Sequence, residues 1–140
     1  MELVRMTPQT QHLTEIQLAK LTEAAWKVRE NAYVFGETKV GAALLTIDDL
    51  VFVGCNVEHR YRSHDVHAEV NAITSMVASG HKNFWVIVIA AERERFTPCG
   101  SCMDWIFQFG GADCLVGYQS HIKGKLTFHT AAELMPFYPK

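Results

Sequence analysis

The chain has 140 residues, 49% of them hydrophobic and 20% charged, with a formal net charge of −2 at pH 7. That length suits a single domain, 1–140, with a core of its own, and the balance excludes both a disordered chain and a strongly basic binder of polymeric nucleic acid. No run of about 18 apolar residues is present to span a membrane, and "MELVRMTPQTQHLTE" lacks the apolar region of a secretory signal, so a cytoplasmic location is expected.

Thr14 followed by Gln17 reads as a capping box, and Leu18, Leu21, Ala25, Val28 and Ala32 then recur at helical spacing toward Gly36. "VGAALLT" (40–46) and "LVFVGC" (50–55), on either side of "IDD", predict a hairpin of two buried strands. The polar "VEHRYRSHDV" (57–66) predicts a loop, and residues 67–79 a largely buried helix closed by Gly80. "FWVIVIAA" (84–91) predicts a central strand. Thr97 is the expected N-cap and Pro98 the first residue of a helix that carries Met103, Ile106 and Phe107 to Gly110. "CLVGY" (114–118) and "KLTFH" (125–129) are two further strands, and "TAAE" (130–133) opens a short last helix. The order α-β-β-α-β-α-β-β-α predicts an α/β fold, a three-layer α-β-α sandwich with a mixed five-stranded sheet. The connection "QSHIKG" is too short for a parallel crossover, so the last two strands should be antiparallel neighbours.

The chemistry concentrates in "HAEV" (67–70) and "PCGSC" (98–102). A catalytic zinc takes three protein ligands and keeps its fourth position for water, and His67, Cys99 and Cys102 supply three ligands of the right type. Two cysteines in the first turn of a helix lie on one side of it, where the helix dipole favours thiolate. Glu69 need not be a ligand. Placed beside the metal, it can take a proton from water and hand it to a leaving nitrogen, while the zinc ionises that water near neutral pH. A closed structural zinc is the alternative, with a fourth ligand from His64, Cys55 or Cys114.

H-x-E followed by P-C-x-x-C is the signature of zinc nucleobase deaminases. With "VGAALLT", "GCNVE", "HAE", "PCGSC" and "AELMP" in succession, the chain resembles the cytidine deaminases from about Ala32 to Pro136. The resemblance implies a cytidine deaminase-like fold, one zinc per subunit, a small-molecule nucleoside substrate, a role in pyrimidine salvage and a homo-oligomer, tetramer or dimer. It also implies that Asn56 and Glu58 hydrogen-bond the ribose, that the backbone of Ala68 and Glu69 holds the pyrimidine, and that Phe137 packs by the base. The related tRNA deaminases share HAE and PCxxC but lack the NVE element.

The chain departs from the family's pattern at several positions. His67 and Val70 stand where small members usually have Cys and Arg: two thiolates and a neutral His on Zn²⁺ sum to zero charge, so no arginine is needed to offset a third thiolate. Met103 and Asp104 replace an Arg-Gln pair that often supports the oligomer. Thr38 stands where the family has a phenylalanine stacked on the base, leaving that contact to Phe35, Phe137 or Tyr138. Arg60 and Arg62 could face an anion such as a nucleotide phosphate. The competing expectations are therefore deamination of another aminated heterocycle, a cytidine nucleotide or a blasticidin S-type antibiotic, and a non-catalytic zinc-stabilised binding module. Family members acting on blasticidin do not keep the glutamate at 58, which favours a ribose.

Overall fold

The computed structural model describes residues 12–138; of the N-terminal stretch read for a secretory signal, the part up to Gln11 lies outside them. The first helix, α1 (Glu15–Arg29), starts at the predicted cap: the Gln17 amide donates to Thr14 Oγ1, and the Thr14 amide donates to Gln17 Oε1, both at 3.0 Å. It ends at Glu30 and does not run toward Gly36. Ala32 therefore falls in the following connection, where Tyr33 bridges to Val57 instead.

The hairpin β1 (Val40–Leu45) and β2 (Val51–Cys55) comes next. A single 3-10 turn at Arg62–His64 interrupts the loop that leads to α2 (Ala68–Ala78). Then come β3 (Val86–Ala91), α3 (Gly100–Gly110), β4 (Leu115–Gln119), β5 (Leu126–Thr130) and α4 (Ala131–Leu134), whose capping box pairs Thr130 with Glu133.

The sheet runs in the order β2-β1-β3-β4-β5. β1 is antiparallel to β2 and β3, β3 is parallel to β4, and the short connection after Gln119 returns β5 antiparallel to β4. Because side chains alternate along a strand, each strand feeds two cores. Val40, Ala42, Leu44, Ile87, Ile89 and Val116 pack with α2, α3 and α4. Ala43, Leu45, Val86, Val88, Ala90 and Leu115 pack on the other face with Leu18, Leu21, Ala25 and Trp26 of α1. The result is the three-layer sandwich. Each fully buried leucine or isoleucine in it contributes about 1.5–3 kcal/mol.

Two glycines set how closely the helices approach. A Cβ on Gly41 would overlap the Ala25 carbonyl oxygen of α1, and one on Gly54 would overlap the Ala72 amide and the Ala68 carbonyl oxygen of α2. These are backbone atoms inside helices, which no rotamer change can move aside. Gly41→Ala and Gly54→Ala are each expected to destabilise the protein by roughly 1–3 kcal/mol or more, read as a fall in the thermal midpoint. Gly80→Ala serves as a control for packing, since a Cβ there meets nothing within 4 Å and only its φ of 93° resists the change.

Candidate active site

Three connections meet at one edge of the sheet. Val40 pairs with Ala91 and Gly41 with Cys55, so β1 begins where β2 and β3 end. The segments entering β1 and leaving β2 and β3 enclose a cleft of about 360 Å³. Thr38 and Val40 line it from the first segment, Asn56, Glu58, Arg62, Asp65 and the His67–Glu69 stretch from the second, and Phe96, Thr97 and Cys99 from the third. A larger groove of about 490 Å³ lies at the other edge, beside the β1–β2 turn and Trp85. Among the described residues, however, the one His, Cys and acid cluster able to hold a metal is His67, Cys99 and Cys102, at the first cleft.

Helix starts place all three. His67 is the N-cap of α2 and Cys99 the N-cap of α3; both are extended, at φ −80°, ψ 154° and φ −70°, ψ 169°, and neither side chain caps its own helix. The expected cap at Thr97 with Pro98 as first helical residue is thus displaced by two positions. Pro98 stays outside the helix, and Cys99 takes the extended N-cap position with no side-chain cap hydrogen bond. Cys102 follows in the first turn of α3. His67 Nδ1 lies 3.2 Å from Cys102 Sγ and 3.4 Å from Cys99 Sγ, and the three donor atoms are all within 4.8 Å of one another. A tetrahedral zinc with ordinary bond lengths separates nitrogen and sulfur ligands by about 3.6 Å, so the donor set fits the ion.

Among the described residues, no fourth protein ligand joins them. Cys55 and Cys114 are free thiols, Cys114 in the core at the far end of the sheet, and His64 packs edge-on against His59 at 5.0 Å. An open fourth position is the arrangement of a catalytic site and not of a closed structural one.

Electrostatics point the same way. Burial first, then the Glu69 carboxylate and the Cys99 sulfur, push the Cys102 thiol far above its ordinary range. A thiolate at this buried sulfur therefore calls for a compensating cation. Glu69, in the first turn of α2, is only 3% exposed. Burial raises its carboxyl above the usual carboxylate range, against the opposing pull of its own backbone amide, His67 and a hydrogen bond with Cys102. A carboxyl at the floor of a cleft and beside the metal ligands is placed to exchange protons with a molecule bound there.

The remaining predicted residues divide between wall and exterior. Asn56 and Glu58 line the cleft with their polar atoms already engaged: Asn56 Oδ1 accepts from the Val40 amide at 2.8 Å and Nδ2 donates to the Thr38 carbonyl at 2.9 Å. Glu58 Oε1 accepts from the Phe35 and Gly36 amides at 2.7 and 3.1 Å. Ala68 and Thr38 also line the cleft. Arg62 reaches its rim but is tied to Asp65 at 2.8 Å and Glu58 at 3.4 Å, and Arg60 lies over the Tyr61 ring, away from the lining.

Phe137 does not reach the cleft of its own chain; it is 95% exposed. The reason is topological. β5 runs back against β4, so Thr130 pairs with Leu115 and α4 starts at the opposite edge of the sheet. Phe35 packs edge-on against Tyr33 and Tyr138 stacks on Phe107, so neither replaces it. The aromatic side chain that does line the cleft is Phe96, which the sequence reading did not single out. Its signal was available: an aromatic two residues before Pro98, in the loop that delivers two ligands.

The chain matches the family model of the cytidine and deoxycytidylate deaminase zinc-binding region over residues 15–118. It is also 34% identical over 123 residues to a cytidine deaminase of Sporosarcina psychrophila, covering 86% of this chain and 90% of that protein. The chain belongs to the cytidine deaminase family. The crystal structure of cytidine deaminase from Burkholderia pseudomallei superposes with a TM-score of 0.81 at 32% identity, over 91% of this chain and all of that one. This family member is also 31% identical over 126 residues to a blasticidin-S deaminase of Bacillus cereus, covering 84% of this chain and 88% of that protein.

Proposed function

We propose that the protein hydrolyses cytidine or deoxycytidine to uridine or deoxyuridine with release of ammonia, using one zinc per chain held by His67, Cys99 and Cys102. The observation that carries this reading is the buried carboxyl of Glu69 beside a three-donor cluster that no further ligand among the described residues completes. Zinc bound there supplies Lewis acidity that ionises water near neutral pH. Glu69 accepts one proton of the water that adds to C4 and delivers it to N3 of the pyrimidine; it then takes the remaining proton of the C4 hydroxyl and passes it to the amino nitrogen, so that the C4–N bond breaks, ammonia departs and the C4 carbonyl forms. The wall formed by Asn56 and Glu58 orients the ribose, and the start of α2 at Ala68 and Glu69 presents backbone groups to the base.

A homo-oligomer, dimer or tetramer, working in the cytoplasm in pyrimidine salvage completes this proposal. Exposed apolar surface supports the oligomer: Tyr33 and Phe35 beside the cleft and Phe137 beyond α4. Thiolate ligands suit a reducing compartment, and no helix among the described residues is long and apolar enough to cross a membrane.

The likeness to the Bacillus cereus protein favours a second reading, an aminated heterocycle of the blasticidin S type as substrate. A nucleotide is disfavoured because Arg62 is already paired with two carboxylates. A non-catalytic zinc module is disfavoured because it would bury Glu69 at a cost and gain nothing from it. Ammonia release by the zinc-loaded protein from cytidine, deoxycytidine, CMP, cytosine and blasticidin S, with Glu69→Gln as control, is expected to show turnover of the two nucleosides. Turnover of blasticidin S with silence on the nucleosides would replace the first reading by the second.

A further inference from the structure

A planar heterocycle in this cleft needs an apolar face to lie against, since the floor is a metal centre and a carboxyl and one wall is hydrogen-bonding. Among the described lining residues, Phe96 is the one carbocyclic ring. It is half-buried, packed against the core beneath α2 and α3 while also lining the cleft, so its backing is fixed.

The loop that presents it is tied on both sides. Ser120 Oγ donates to the Arg93 carbonyl at 2.8 Å, and Arg93 Nη2 crosses to the opposite rim and donates to Thr38 Oγ1 at 2.5 Å. Between Arg93 and Phe96 the chain turns through Arg95 at φ 51°, uncommon for a residue other than glycine, and the Thr97 amide closes the turn on the Arg95 carbonyl at 2.9 Å. Arg93 carries no carboxylate partner among the described ion pairs, whereas Arg29 and Arg62 both do. Its recorded side-chain contact is the bond that joins the two rims of the cleft.

We propose that Phe96 is the stacking wall for the substrate's base and that Arg93, through Thr38, is the positioning residue that holds the Phe96 loop against the cleft. The inference rests on the deaminase reading above and moves the aromatic contact from the segment before β1 to the loop after β3.

The test is steady-state kinetics on cytidine with zinc-loaded wild type, Phe96→Tyr, Phe96→Leu, Arg93→Ala and the Phe96→Leu/Arg93→Ala double variant, each with its zinc content and thermal midpoint. Stacking acts on bound substrate and transition state alike. Phe96→Leu, which keeps apolar volume and loses the ring, is therefore expected to raise KM roughly tenfold with little change in kcat. Phe96→Tyr should stay within about twofold of wild type, because it keeps the ring. Arg93→Ala should raise KM by a smaller factor that vanishes in the Phe96→Leu background, since it acts through that ring. An unchanged KM in Phe96→Leu overturns the proposal, as does equal loss in the Leu and Tyr variants. Loss of zinc or of fold in Phe96→Leu also overturns it, by assigning the ring to the frame. Defects of Arg93 and Phe96 that simply add overturn the positioning role. A wild type inactive on nucleosides is a failure of the deaminase reading itself, seen before any variant is compared, and this inference falls with it.

Discussion

Glu69→Gln is expected to bind one zinc per chain, to keep the wild-type thermal midpoint within a few degrees, and to release ammonia from cytidine about 10²–10⁴-fold more slowly. The glutamine is nearly isosteric and, like a protonated carboxyl, neutral, so it suits a site where burial already disfavours charge. It cannot take a proton from water or return one to N3. Metal analysis and turnover on the same preparation separate the two functions. A Glu69→Gln protein that turns over at more than a tenth of the wild-type rate would remove Glu69 from the mechanism.

Cys102→Ala is expected to lose both metal and activity, with turnover falling to the uncatalysed background. Two donors, His67 and Cys99, remain 3.4 Å apart, but a tetrahedral ion would then need two non-protein ligands. Stability should fall as well, because a metal that binds only the folded chain stabilises it by mass action, about 4 kcal/mol at a thousand-fold excess over Kd. Treating the wild type with a chelator should therefore lower its thermal midpoint, while the same treatment should leave Cys102→Ala unchanged. A Cys102→Ala protein purified with one zinc per chain would refute the ligand assignment.

The sequence was most informative where local rules and packing agree. The capping boxes at Thr14 and Thr130 open their helices as read, because each box satisfies two backbone donors without help from elsewhere. The strand pattern is legible for a similar reason: "FWVIVIAA" is short and rich in β-branched residues, as a strand buried on both faces is, and Val86–Ala91 are buried throughout. The residues of the metal cluster could be named from their spacing, since C-x-x-C across a helix start leaves few geometries.

What could not be read was decided by long-range contacts. The periodicity of Val28 and Ala32 continues beyond Arg29, but pairing of Tyr33 with Val57 competes with another helical turn and wins. α3 starts two residues after its local Thr97-Pro98 signal, with Cys99 as the extended N-cap beside the other two donors of the cluster. Arg62 resembles an anion receptor until the fold places Glu58 and Asp65 beside it. The resemblance implies that Phe137 packs by the base, while within one chain the direction of β5 carries it to the far end of the sheet. Phe96 carries a local signal, an aromatic two residues before Pro98, but its place in the cleft is set by the contacts of its loop.

The two close-approach glycines bear on how such a protein can change its substrate. Gly41 and Gly54 stand one rung apart on the β1–β2 ladder, where Gly41 faces Cys55 and Ala42 faces Gly54. The two helices therefore grip the sheet from opposite sides, as a vice would, next to the edge that carries the cleft. The floor of the cleft thus stands beside a part of the sheet where backbone packs directly on backbone. New specificity must then be acquired in the segments that overhang the floor, such as the one bearing Thr38 and the one bearing Phe96, while the chemistry beneath stays as it is.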